Sequence, residues 1–151
     1  MSATIRPAVS TDEAAWRELF LAYGEFYETH FSTDTLDGVW GWLMSEDHPE
    51  RCFVAEVEGS VLGFAHLQRQ VDTFRAGTGW FLDDLFVHPH HRGHGIARAL
   101  IDALTAYAAA HGGGELRWIT ASDNHTAQAL YDRIARKTSW VMYEKDTEAE
   151  S

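Results

Sequence analysis

A mixed α/β fold, one sheet with helices on both faces, follows from three observations on this sequence. Apolar positions alternate between a two-residue and a 3.6-residue period along the chain. Glycine-containing turns separate these stretches, at Glu58-Gly59-Ser60, at residues 75–79 and at Gly112-Gly113-Gly114. A strand pattern at residues 80–87 runs through a small-residue turn into a helix pattern at residues 96–110, the order of a right-handed parallel crossover.

Residues 4–9 read as a short first strand, which Pro7 confines to an edge or an end. Thr11-Asp12-Glu13 starts a helix, with a capping residue followed by acid in the first turn. Ala15, Leu19, Ala22 and Phe26 then share one face. A second helix is expected over residues 34–44, with Leu36, Val39, Trp40 and Leu43 inward, and His48-Pro49-Glu50 breaks the pattern. Residues 52–57 and 61–70 form a hairpin about Gly59. Residues 80–87 are the central strand. Ile96, Leu100, Ala103, Leu104 and Tyr107 line the third helix, which the triple glycine ends. A strand at residues 116–121, a helix at residues 124–135 and a last strand at residues 139–145 complete the order. The tail from Asp146 is polar and is expected to fray. There is no repeat, low-complexity linker or composition shift, so residues 1–151 read as one domain.

The 151 residues suffice for one domain with a proper core. Cys52 stands alone, so no internal disulfide is possible. Residues 1–10 lack the basic and apolar regions of a signal peptide, and no apolar run approaches about 18 residues. These features point to the cytoplasm and away from a membrane. The formal charge is −11, and residues 1–50 hold ten acids against two bases. That balance argues against nucleic acid, which needs a basic footprint. It suits a cationic partner, although an acidic surface also simply keeps a protein soluble.

The run Arg92-Gly93-His94-Gly95-Ile96-Ala97 marks an anion site. The first N–H groups of a helix have no partner inside it, and the helix dipole favours negative charge there. From His88 to Arg98 there is no acid. The Rossmann pattern fails because Gly93-x-Gly95 is followed by Ala97 and Arg98. The P-loop pattern fails because no Gly-Lys-Ser/Thr occurs. His88, His90, His91 and His94 are dense enough to raise the question of a metal, yet they lie across the same turn with no Cys or acid among them, and no metal is expected.

Arg92-x-x-Gly95-x-Ala97 matches the R/Q-x-x-G-x-G/A pyrophosphate loop of the GNAT superfamily of acetyl-CoA-dependent N-acetyltransferases. Leu82-Asp83-Asp84-Leu85-Phe86-Val87-His88-Pro89 looks like the family's central strand. Asn124-His125-Thr126-Ala127-Gln128-Ala129-Leu130-Tyr131 looks like its second cofactor motif, N-x-x-A-x-x-L-Y. The resemblance spans about residues 4–145. It implies the GNAT fold, a central mixed sheet of six to seven strands with four helices on both faces. The acid pair and the Asn-to-Tyr segment resemble the small diamine and polyamine acetyltransferases and the fungal enzymes that acetylate histone tails and polyamines. Where many relatives carry Gly-Phe after the helix tyrosine, this chain has Asp132-Arg133-Ile134-Ala135-Arg136-Lys137-Thr138.

The resemblance implies acetyl transfer from acetyl-CoA to a primary amine. Arg92, Gly93, His94, Gly95, Ile96 and Ala97 would hold the pyrophosphate. Leu85, Phe86 and Val87 would pair with the pantetheine arm, with a backbone N–H near Val87 facing the developing oxyanion, and Asn124 would bond the arm. An amine of pKa about 10 must lose a proton before it attacks. Neighbouring strand residues face opposite ways, so only one of Asp83 and Asp84 should point at the substrate. By analogy with the diamine enzymes, Asp83 is favoured as base or water-orienting group and Asp84 as its charge partner. Tyr131 would protonate the departing thiolate. Tyr23, Glu25, Tyr27 and Glu28, in the segment that forms the family's acceptor wall, suit an ammonium group through ion pairing and cation–π contact. A small cationic amine is thus the expected acceptor. A protein or peptide amine, and a non-catalytic acyl-CoA sensor, are the alternatives. A homodimer is expected, as in other small GNAT proteins.

Overall fold

The structure, a computed structural model, describes residues 2–149. It forms two compact units, one up to Trp118 and one from Ile119 onward. In the first unit the order is β1 (Thr4–Pro7), α1 (Glu13–Phe26), α2 (Thr33–Leu43), β2 (Glu50–Val57), β3 (Ser60–Asp72), β4 (Gly77–Val87), α3 (Ile96–Ala110) and β5 (Leu116–Arg117). The second unit contains α4 (His125–Ile134). The five strands lie in the order β1-β2-β3-β4-β5. The first four are antiparallel and β5 is parallel to β4, as the crossover pattern predicts.

The two faces of the sheet are covered by different helices. Trp16, Leu19 and Phe20 of α1 and Leu36, Trp40 and Leu43 of α2 form one core with Cys52, Val54, Phe64 and Phe86. Phe53 and Trp80 instead meet Tyr107 of α3, at ring distances of 5.1 and 5.8 Å. Phe53 neighbours Cys52 and Val54 on β2, so α3 covers the opposite face. Burial of a side chain such as Leu100 contributes about 1.5–3 kcal/mol.

Several sequence expectations shift. Asp12 does not open α1 as a simple cap. Its carboxylate accepts from the Val9 N–H at 2.8 Å and from both Arg6 Nη atoms at 2.8 and 3.0 Å, which ties β1 to a short 3-10 turn before the helix. The β3–β4 hairpin runs further than expected, because the ladder continues past Gln70 through Val71 and Asp72, opposite Thr78 and Gly77, where no strand pattern announces it. β5 ends at Arg117 rather than residue 121. Residues 139–145 form no strand, and Trp140, Val141, Met142 and Tyr143 are exposed. Their β-propensity counts only when a neighbouring edge pairs with them. The sheet therefore has five strands instead of six to seven. Residues 146–149 are irregular, and the last two tail residues lie outside the described range.

Candidate active site

A local irregularity in β4 sets the site. His66 of β3 pairs with Asp84, but Leu67 pairs with Leu82, so Asp83 is an extra residue without a cross-strand partner. Such a bulge breaks strand alternation. Asp84 meets His66, which contacts Trp16 of α1. Asp83 meets Glu50, which is two residues before Cys52 of the same core face. Both aspartates thus face the α1/α2 side, because the bulge breaks the alternation by which neighbouring strand residues were expected to face opposite sides of the sheet. The register slip responsible leaves no mark in an ordinary Leu-Asp-Asp-Leu run.

On this face each aspartate has its own partner set. The Trp16 indole N–H donates to His66 Nε2 at 2.9 Å, and His66 Nδ1 lies 2.8 Å from Asp84 Oδ2. Indole is only a donor, so Nε2 must accept, and the proton of the neutral imidazole sits on Nδ1 and is donated to Asp84. His66 is 2% exposed, which makes this chain of bonds part of the core. The Tyr23 hydroxyl also donates to Asp84. Burial, then the Asp84 charge and that hydrogen bond, hold the phenol protonated well above its ordinary range. Asp83 instead accepts from the carboxyl of Glu50, a residue 7% exposed. Burial first, then Asp83, pushes Glu50 up to about 8, while Gln68 Nε2 at 3.4 Å opposes the rise. Burial also raises Asp83, against the hydrogen bond from Glu50 that lowers it.

Sequence reasoning missed Glu50, His66 and Trp16. Glu50 reads as part of a His-Pro-Glu break and His66 only as one residue of the strand expected over residues 61–70. Only the pairing of Glu50 with Gln68 and of His66 with Asp84 brings them to the acids. Of the expected acceptor wall, Tyr23 and Tyr27 come together at 5.0 Å between rings. The chain after α1 folds back on Gly24, where a Cβ would lie 2.6 Å from the Phe31 ring. Glu25 and Glu28 are exposed, with Glu25 4.0 Å from His30.

Further along β4 the backbone takes over. The His88 N–H donates to Leu62 O at 2.7 Å. Alternation then directs the N–H groups of Leu85 and Val87 to the other edge, where no described strand pairs beyond Phe81. Gly93 and Gly95 have φ of +82° and +77°. A Cβ on either meets no atom within 4 Å, so conformation rather than crowding calls for glycine there. Gly95 is the N-cap of α3, and its carbonyl accepts the first helical bond, from Ala99. The N–H groups of Ile96, Ala97 and Arg98 therefore lack helical partners. With no acid in the first turn, this end fits an anionic group such as the pyrophosphate of acetyl-CoA. The Arg92 side chain folds back, its Nε donating to Val87 O at 3.0 Å and its guanidinium 5.1 Å over the Phe86 ring. No group of three or more potential metal ligands occurs among the described residues.

In the second unit, Asn124 Oδ1 accepts from Ala127 N at 3.2 Å and caps α4. Tyr131 lies on the same helix, and its carbonyl accepts from Ala135 N. No helix among the described residues is long and apolar enough to cross a membrane.

A mixed sheet with a bulged acidic strand, leading into a glycine turn at a helix N-terminus, defines an acyl-transfer enzyme built around an anionic donor. The chain belongs to the acetyltransferase (GNAT) family, whose family-wide pattern matches residues 13–135. It is an acetyl-CoA-dependent N-acetyltransferase. It is 32% identical over 145 residues to the N-acetyltransferase YhfO of Bacillus subtilis, covering 95% of this chain and 91% of that protein. It is 29% identical over 147 residues to the D-amino-acid N-acetyltransferase HPA3 of Saccharomyces cerevisiae, covering 89% and 85%. The fold matches the aminoglycoside N-acetyltransferase AAC(6')-Iy, solved with CoA, at a TM-score of 0.82 and 23% identity over 95% of this chain and 94% of that one.

Proposed function

We propose that the protein transfers the acetyl group of acetyl-CoA to the primary amine of a small cationic compound, such as a polyamine or a lysine-like molecule. The carrying observation is the acidic and aromatic face made by Asp83, Asp84, Glu50, Tyr23 and Tyr27, which pairs charge with rings as an ammonium requires. The donor supplies an activated acetyl thioester. Residues 92–97 hold its pyrophosphate through backbone N–H groups, and Leu85 to Val87 hold its arm through the open edge of β4. The Val87 N–H faces the carbonyl oxygen as charge develops on it. Asp83 takes the ammonium proton, directly or through water. Asp84, anchored by His66 and Tyr23, supplies fixed charge that keeps the amine in place. Asn124 and Tyr131 act as the family motif implies, Asn124 on the donor arm and Tyr131 as the acid for the leaving sulfur. Residues 1–151 work as one catalytic domain, in the cytoplasm and as a homodimer.

The relative HPA3 is named for D-amino acids, and an amino-acid acceptor is the second reading. A panel of polyamines, lysine derivatives, aminoglycosides, D-amino acids and peptides, read by release of free thiol from acetyl-CoA, tests both. Preference for amines with a second positive charge supports the first reading; preference for amino acids or peptides replaces it. Thermal stabilisation by acetyl-CoA without thiol release from any amine would indicate a sensor.

A further inference from the structure

Glu50 is a buried carboxyl that no salt bridge neutralises among the described residues. It is 7% exposed at the start of β2. No Arg or Lys forms a salt bridge with it or with Asp83 among the described residues. The guanidinium of the neighbouring Arg51 is turned to the carbonyls of Ser45, Glu46, His48 and Glu50. From β3, Gln68 offers an amide at 3.4 Å, and His66 spends its Nδ1 proton on Asp84. From β4 come the two carboxyls of Asp83 and Asp84. Cys52 on β2 is an inert buried thiol, held protonated chiefly by burial. The His48 ring accepts from the Glu50 N–H. On the helical side, α1 and α2 present Trp16, Leu36, Trp40 and Leu43 to this core, with Tyr23 on Asp84. Two carboxyls in contact, without a cation, share a proton instead of both ionising.

We propose that Glu50 and Asp83 accept the amine's proton as a pair, Glu50 being the member that holds it. This rests on the reading of Asp83 as the base. In the working state both carboxyls are ionised. The N–H bond of the ammonium breaks, its electron pair stays on nitrogen, and the proton passes to Asp83 and is shared with Glu50. The free amine then attacks the thioester carbonyl; as the C–N bond forms the C–S bond breaks, nitrogen loses its remaining surplus proton, the thiolate takes up one proton to leave as the free thiol, and the pair returns the ammonium proton to solvent after the amide has left. Burial and mutual repulsion push Glu50 up to about 8, far closer to an amine than a lone aspartate is. That narrows the mismatch across which the proton must move.

The free protein gives the first test. With glutamate carboxyls labelled by 13C, one resonance is expected to titrate near 8 and to vanish in Glu50→Gln. Titration of every glutamate below about 6 would overturn the pair. The second test is the pH profile of kcat/KM. The ratio of wild type to Glu50→Gln is expected to rise about tenfold between pH 7 and 9, as the doubly ionised pair forms. A flat ratio overturns the proton-sharing step. Asp83→Asn separates the two ideas: full turnover in that variant defeats the base assignment itself, whatever the resonance shows. Because the wild-type titration needs no substitution, poor folding of Glu50→Gln leaves the proposal open to refutation.

Discussion

The acidic face beneath α1 and the turn at residues 92–97 sit at the two ends of one strand segment and handle charge by opposite means. The face uses mutually bonded side chains, with Glu50 and His66 buried and Asp83 exposed, in which one substitution strands several partners. The turn uses backbone N–H groups that every residue type carries and asks only that two positions adopt positive φ. The first is therefore sensitive to chemistry and the second to conformation. Substitutions on the face should appear in kcat and in pH dependence, and substitutions in the turn in donor affinity.

The strongest break of that division is Asp83→Asn. It is expected to lower kcat/KM by about 100- to 10,000-fold while calorimetric affinity for acetyl-CoA stays the same. A comparable loss of donor affinity would mean that the two regions are not separate. Tyr131→Phe should cut kcat by about 10- to 1000-fold with donor binding preserved; unchanged turnover would remove its role as the acid. Gly95→Ala forces a Cβ into the left-handed region at about 1–2 kcal/mol, so donor affinity should fall by about 5- to 30-fold with little change in amine KM. An equal rise in amine KM would erase the contrast.

Heat and pH sharpen the comparison further. The folded-state pKa of Glu50 lies above its ordinary 4.5, at about 8. Its contribution to stability is thus complete below about 4.5 and is lost as pH rises through 8. In Glu50→Gln this part of the decline in Tm should disappear, a difference on the order of 10 °C across that range by calorimetry. Asp12 has the opposite sign, because Arg6 lowers its pKa, and its contribution is lost as the pH falls below the usual carboxylate range. The smallest effect is expected from Glu25→Gln with Glu28→Gln. These exposed groups should raise the KM of a polyamine by about two- to threefold and leave a neutral-tailed amine unchanged; equal effects would exclude them from the acceptor wall.

How much of this was legible in the sequence differs between the two regions for the same reason. The turn, its anion preference and α3, whose observed ends match residues 96–110, all follow from neighbours in the chain. The acidic face does not. Asp83 and Asp84 stand out as residues, but their shared orientation depends on a bulge that no Gly or Pro announces. Glu50 and His66 belong to the site only through cross-strand register, with Glu50 and Asp83 33 positions apart in the chain. The last strand failed for a related reason: residues 139–145 have the composition of a strand but no partner edge, and composition cannot supply one.

Arg92 leaves a final consequence. By bonding Val87 O and lying over Phe86, it clips the start of the glycine turn to the strand that carries the acids. On the proposed roles, the interval between donor anchor and proton acceptor is thereby a fixed gauge inside one short stretch of chain. The aromatic residues after α1 are outside that gauge. If these residues form the acceptor wall, substitutions among them should change amine preference and leave that interval as it is.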